Sequence, residues 1–118
     1  MRGYILVVED EPDIRDLLEL ILRSSGFDIV LARNGLDALH RMQAHAQAPS
    51  VVVLDLIMPV MDGWELLEEI PRGTPVIVTS GYVGPPARGV LQYRNVKRVL
   101  EKPVDYRDLL SAVAQVAG

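Results

Sequence analysis

Asp55 closes the apolar run Val51-Val52-Val53-Leu54 and opens an irregular stretch, Leu56-Ile57-Met58-Pro59-Val60-Met61-Asp62-Gly63. A carboxylate at the end of a buried strand is costly to desolvate unless a positive or hydrogen-bonding group meets it. Other strand-like runs end in similar chemistry. Glu9 and Asp10 follow Tyr4–Val8, Thr79 closes Val76-Ile77-Val78, and Lys102 follows Val99-Leu100-Glu101. Two unit charges 4 Å apart repel by about 4 kcal/mol at an effective dielectric near 20. Glu9, Asp10 and Asp55, if adjacent, therefore call for a cation. One or two carboxylates, a carbonyl and several waters around a hard divalent ion describe how proteins bind Mg²⁺ alongside phosphate. A carboxylate can also attack phosphorus and form an acyl phosphate. That chemistry needs a metal on the phosphoryl oxygens and fixed donors for the remaining charge. Thr79 offers a hydroxyl and Lys102 a compact ammonium. Each residue also has an ordinary explanation: Glu9 and Asp10 as acids at a helix start, Asp55 as a turn residue, Thr79 as a β-branched strand residue, Lys102 as a solvated charge. Their shared placement at strand ends favours one site.

The elements that must position these groups alternate along the chain. Strand-like runs fall at Tyr4–Val8, Asp28–Leu31, Val51–Leu54, Val76–Thr79 and Arg98–Glu101. Between the first two, Ile14, Leu17, Leu18, Ile21 and Leu22 recur at helical spacing, with Pro12 suited to the first turn and Gly26 to the stop. A second helix carries Leu36, Leu39 and Met42 after Asn34-Gly35. A third runs from Gly63 to Ile70 with Leu66 and Leu67. Gly81, Gly84, Pro85, Pro86 and Gly89 crowd the next connection, so the fourth helix is predicted to be short, within Ala87–Tyr93. The fifth, Asp105–Ala117, shows a stripe of Tyr106, Leu109, Leu110, Val113 and Val116. Five β/α units predict a parallel sheet with helices on both faces and right-handed crossovers. Val51–Leu54 and Val76–Val78, apolar throughout, read as central strands. In such sheets ligands bind outside the carboxyl ends of the strands.

A chain of 118 residues suits one domain, residues 1–118. Its net charge of −4 argues against direct nucleic-acid binding. The absence of cysteine excludes a disulfide framework and a thiolate zinc site. No apolar stretch is long enough to span a membrane and the start carries no signal peptide, which makes the cytoplasm the default location. His40 and His45 lack metal-ligand spacing and read as surface residues. Trp64 reads as a packing or partly exposed residue, and Arg88, Arg94, Lys97 and Arg98 as a solvated basic face, with a docking surface as the sharper reading.

Val7-Val8-Glu9-Asp10-Glu11, the stretch from Asp55 to Asp62-Gly63 with Met58-Pro59 inside it, Thr79-Ser80 and Lys102-Pro103 together carry a resemblance. The chain resembles the receiver domain of two-component response regulators, of the chemotaxis-regulator kind, over essentially its whole length. The resemblance implies a flavodoxin-like, doubly wound α/β fold with strand order 2-1-3-4-5, five flanking helices and a cis peptide before Pro103. It implies Asp55 as phosphoacceptor, Thr79 and Lys102 as grips on phosphoryl oxygens, and Ser80 as the small residue beside Thr79. Asp10, Asp55 and the carbonyl of Ile57 would ligate Mg²⁺ directly, with Glu9 acting through water. The implied function is phosphorelay signalling. A histidine kinase, phosphotransfer protein or small phosphodonor would supply the phosphoryl group, and the domain would catalyse only its own phosphorylation and dephosphorylation. The implied partners extend to an output domain or downstream protein and a phosphorylation-dependent homodimer, with no membrane. Ile57 and Gly81 fall at the two variable positions flanking the site.

One departure stands out. The residue three before the strand-end lysine is usually aromatic and moves inward on activation; here it is Val99, with Tyr82 or Tyr93 as substitutes and the Gly81–Gly89 stretch as another carrier of change. A flavodoxin-like cofactor module is the rival from another class. It needs a phosphate-cradling loop after the first strand. Here that loop is Glu9-Asp10-Glu11-Pro12-Asp13, whose charge repels a phosphate that lacks a metal. A receiver fold that has lost phosphorylation is disfavoured, because every chemical position is filled.

Overall fold

The computed structural model describes residues 3–58, 60–81 and 89–117. Five parallel strands form one sheet: β1 (Tyr4–Val8), β2 (Asp28–Ala32), β3 (Val51–Asp55), β4 (Val76–Ser80) and β5 (Val96–Glu101), in the order β2-β1-β3-β4-β5. β1, β3 and β4 are buried along their whole length, as runs apolar on both faces require. The period-2 alternation divides each run between two cores. Leu6, Val8, Val52, Leu54, Val76 and Val78 face one cluster, with Leu66 and Leu67. Ile5, Val7, Val51, Val53, Ile77 and Leu100 face the other, with Leu18, Leu22, Leu109 and Val113.

Among the described residues there are four α-helices: α1 (Pro12–Leu22), α2 (Gly35–Gln43), α3 (Gly63–Glu69) and α4 (Tyr106–Ala117). Each start has a local cause. Pro12 occupies the first turn of α1, where its missing N–H costs nothing. The Asn34 side chain accepts from the Asp37 amide at 2.8 Å to cap α2. Asp62 and Glu65 form a reciprocal capping box at α3. α1 runs into a 3₁₀ turn, Arg23–Ser25, and ends at Gly26 with φ 86°, a conformation open to glycine without penalty. No helix among the described residues is long and apolar enough to cross a membrane.

Among the described residues, four helices rather than the five expected are therefore found. In place of the expected fourth, Gly89–Gln92 forms a 3₁₀ turn, while residues 82–88, including Tyr82, Ala87 and Arg88, lie outside the described residues. Helical periodicity also over-assigned the apolar faces. Leu17 is 53%, Leu36 43% and Tyr106 50% exposed, whereas Ala38 and Ala112, too small to register in an apolar stripe, are fully buried. The predicted strand limits agree to within two residues.

The β3–α3 connection is pinned at both ends. The Gly35 amide donates to the Met61 carbonyl at 3.1 Å, and the Gly63 amide to the Leu56 carbonyl at 2.8 Å. A Cβ on Gly35 would lie 2.8 Å from that carbonyl oxygen, closer than real contacts allow. Between the pins, Val60 takes φ 71° with its side chain 74% exposed. A β-branched residue is strained there, and Asn tolerates the same region. Val60→Asn is expected to stabilise the fold by about 0.5–1 kcal/mol, while Gly35→Ala is expected to destabilise it by about 1–3 kcal/mol. Urea unfolding of the two variants checks both, and a Val60→Asn protein no more stable than the parent would remove the strain argument.

Candidate functional site at the carboxyl edge of the sheet

The strand register brings the chemical residues together. Val8 pairs with Leu54 across β1 and β3, so the next residues on each chain are Glu9 and Asp55. Asp55 pairs with Thr79 across β3 and β4. Ser80 pairs with Glu101, and the Lys102 amide donates to the Ser80 carbonyl at 2.8 Å. Glu9, Asp55, Thr79 and Lys102 continue the rows of Val7, Val53, Ile77 and Leu100, so all four fall on the same face of the sheet. Lys102-Pro103 is a cis peptide, as expected.

Glu9 is fully buried, Asp55 5% exposed and Thr79 1% exposed. The Lys102 ammonium sits between the two buried acids, 2.8 Å from Glu9 Oε1 and 3.2 Å from Asp55 Oδ2. The Ile57 amide donates to Asp55 Oδ1 at 3.3 Å, and the Glu11 amide to Glu9 Oε2 at 3.2 Å. Carboxylate oxygens of Glu9, Asp10 and Asp55 all lie within 4.8 Å of one another, with Asp10 half-buried. Thr79, Glu9 and Lys102 line one cavity of about 360 Å³, whose other wall is Ile14, Leu17, Leu18 and Ile21 of α1. Every sequence-predicted site residue is thus at this edge. Sequence reasoning missed Arg15, whose Nη1 donates to the Glu9 carbonyl at 2.9 Å. It also missed the Lys102–Glu9 pair, which spans 93 positions and has no local signal.

Burial raises the Asp55 carboxyl from 3.8 to about 6, and the neighbouring Glu9 charge adds to the rise; Lys102 and the Ile57 amide pull the other way. Burial alone would lower Lys102, but its hydrogen bond to Glu9 and the charges of Asp55 and Glu9 outweigh that, so its pKa is raised. Three acids and one ammonium leave the edge two negative charges in excess. The edge thus joins the Asp55 carboxylate to two further acids, a buried hydroxyl and a lysine that reaches both Glu9 and Asp55.

Residues 5–114 match the family model for the response regulator receiver domain. The chain belongs to that family. It is 36% identical over 116 residues to an uncharacterized 14.6 kDa protein of Leptolyngbya boryana, covering 94% of this chain and 87% of that one. It is 33% identical over 114 residues to the transcriptional regulatory protein GlrR of Escherichia coli, covering 94% of this chain but 25% of GlrR. The chain thus spans about a quarter of the length of that relative. Its fold superposes on the Vibrio cholerae chemotaxis protein CheY4 with a TM-score of 0.88, at 24% identity, over 98% of this chain and 99% of that one.

This receiver domain of two-component response regulators has the flavodoxin-like order and an acidic cluster that could hold the Mg²⁺ that receivers generally bind. The donor set fits the ion. Its ligands are all hard oxygens, and the charge excess at the edge is that of one divalent cation. The position usually aromatic, Val99, is half-buried against the cluster that contains Val78, against which Tyr93 and Trp64 also pack. The Tyr93 hydroxyl donates to Glu68 of α3, and that bond, ahead of burial, raises its pKa. Trp64 packs as expected, and a Cβ on Gly89 would lie 3.3 Å from its ring. His45 is exposed but stacks on Tyr4, ring centroids 4.2 Å apart. Lys97 and Arg98 are spent on the Arg94 carbonyl and Gln115.

The raised Asp55 carboxyl makes a signed prediction. A folded-state pKa of about 6 against 3.8 means the native state binds more protons between those values. Stability therefore falls as pH rises through that window, and the cost is fully present above about pH 6. In chelator at pH 7.5, Asp55→Asn is expected to stabilise the protein by about 1–2 kcal/mol, after allowance for the lost Lys102 contact. Near pH 4 the gain should shrink towards zero. Urea melts at both pH values measure this; a gain independent of pH would mean that the buried charge is not its source.

Proposed function

We propose that the domain accepts a phosphoryl group on Asp55 and uses it to switch its affinity for a partner. The observation that carries the reading is the buried Asp55 carboxylate, met by Lys102 on one side and by Glu9 and Asp10 on the other. In this reading an Asp55 carboxylate oxygen attacks phosphorus in line with the leaving group, forming an O–P bond as the donor's bond to phosphorus breaks. Lys102, already 3.2 Å from Asp55 Oδ2, and the Thr79 hydroxyl take up charge on the phosphoryl oxygens. Asp10, Asp55 and the Ile57 carbonyl would hold Mg²⁺ directly and Glu9 through water. Mg²⁺ would supply charge neutralisation between acids and phosphate. The Ile57 amide orients the carboxylate that attacks. The domain would then be a self-modifying phosphoacceptor rather than an enzyme acting on other substrates. The phosphoryl source would be a histidine kinase, a phosphotransfer protein or a small phosphodonor, in the cytoplasm. An output segment, a separate protein or a second copy of the domain would read the change.

Intact mass after incubation with acetyl phosphate and Mg²⁺ tests the assignment. One added phosphoryl group is expected in the parent and none in Asp55→Asn. Asp10→Asn should need much more Mg²⁺, and excess chelator should abolish incorporation. A phosphoryl group that maps elsewhere, or that is added equally well in chelator, would overturn it.

The lifetime of the acyl phosphate follows from its flanks. Hydrolysis needs a water in line with phosphorus, and neither Ile57 nor Gly81 has a polar side-chain group to orient one. Ile57 is 70% exposed, and a Cβ on Gly81 meets nothing within 4 Å, so longer side chains fit at both positions. The Ile57→Asn, Gly81→Glu double variant is expected to lose phosphate about 10-fold faster, equivalent to roughly 1.4 kcal/mol of transition-state orientation. Decay of phosphoprotein after donor removal measures it, and an unchanged rate would show that water orientation here does not set the lifetime.

A further inference from the structure

A second charged cavity lies at the β2 edge of the sheet, lined by Arg15, Leu31, Arg33, Asp37 and Arg41, with a volume of about 240 Å³. Its arginines come from three separate places: the first turn of α1, the residue after β2, and α2. Asp37 is the single acid in the lining and is already engaged. It accepts from the Arg33 amide at 3.1 Å and from Arg41 Nε at 3.3 Å. Arg15 is tied by Nη1 to the Glu9 carbonyl, which fixes it without neutralising it. Among the described residues neither Arg15 nor Arg33 has a carboxylate within ion-pairing distance. The chain as a whole has 16 acidic side chains and a net charge of −4. Three guanidinium groups against one committed carboxylate leave the cavity about two positive charges in excess, a local inversion of the field of the whole molecule.

We propose that this cavity is a binding site for a small phosphate-class oxyanion, separate from the acidic site at Asp55. Guanidinium forks match phosphate oxygens two at a time. The volume of about 240 Å³ has room for a phosphate or diphosphate group. The site stands at the carboxyl end of β2, the side of the sheet on which such folds bind ligands. The Arg15–Glu9 bond links its wall to the acidic site, where Lys102 reaches both Glu9 and Asp55. The assignment does not depend on the chemistry of Asp55.

The test is a ¹H–¹⁵N NMR titration in chelator, which keeps phosphate from joining a metal at the acidic site. Inorganic phosphate and pyrophosphate form one arm; acetyl phosphate with the Asp55→Asn chain, which cannot be acylated there, forms the other. Saturable shifts are expected at the amides of Leu31, Arg33, Asn34 and Asp37. Binding of both classes marks a general phosphate site, and binding of acetyl phosphate alone marks a donor subsite; either supports the proposal. Arg33→Gln should weaken binding about tenfold, as loss of one charge-assisted contact does, and Arg33→Gln with Arg41→Gln further. Arg41 also tethers Asp37, so the single Arg33 variant keeps the test valid if α2 is disturbed in the double one. Shifts that merely follow ionic strength in matched sodium chloride, or that persist unaltered in Arg33→Gln, would overturn the assignment.

Discussion

The Lys102 ammonium, shared between Glu9 and Asp55, is the contact on which the carboxyl edge of this sheet depends. A fully buried carboxylate such as Glu9 carries a desolvation penalty of several kcal/mol unless it is paired and hydrogen-bonded. Glu9 meets that condition through Lys102 and the Glu11 amide. Asp55 meets it only in part, which is why its pKa stays high despite a lysine at 3.2 Å. One ammonium cannot balance three acids. The structure therefore holds its phosphoacceptor candidate in a state that a divalent cation or a change of charge on Asp55 would relieve.

The apolar architecture exists largely to bring that edge into register. Parallel strands buried on both faces leave only their ends free to carry polar groups. Because the alternation of β1, β3, β4 and β5 is in phase, the residue after each apolar row lands on the face of α1 and α4. The same phase places the Arg15 guanidinium of α1 against the Glu9 carbonyl. The β3–α3 connection is held by backbone contacts at Gly35 and Gly63 that leave no room for a side chain. Asp55 is thus oriented by backbone on one side and by charge on the other.

The region after β4 differs in character. Ser80 is buried and Gly81 exposed, and the 3₁₀ turn Gly89–Gln92 leads into β5 where a regular helix was expected. With Val99 in place of an aromatic, the ring beside this turn is Tyr93, fixed by its hydroxyl to Glu68 of α3. That bond and the Trp64 ring against Gly89 tie the turn before β5 to α3.

Much of this was legible in the chain. Runs of Val, Ile and Leu fixed where the strands lie, because continuous apolar stretches bounded by turn residues have few other solutions. The acids, the hydroxyl and the lysine could be placed at strand ends from those runs alone, and the motif around Asp55 identified the family. The strand order and the cis bond before Pro103 came from that resemblance, not from periodicity, and the sheet shows both. What the sequence left undecided was long-range. Leu17, Leu36 and Tyr106 share helical spacing with buried neighbours yet stay exposed, since the partner surface, not the period, sets which side of a helix is covered. The Glu9–Lys102 pair and the meeting of Arg15 with Arg33 and Arg41 join residues far apart in the chain. Charges are written into a sequence one residue at a time; which charges face each other is decided only when the sheet and helices close.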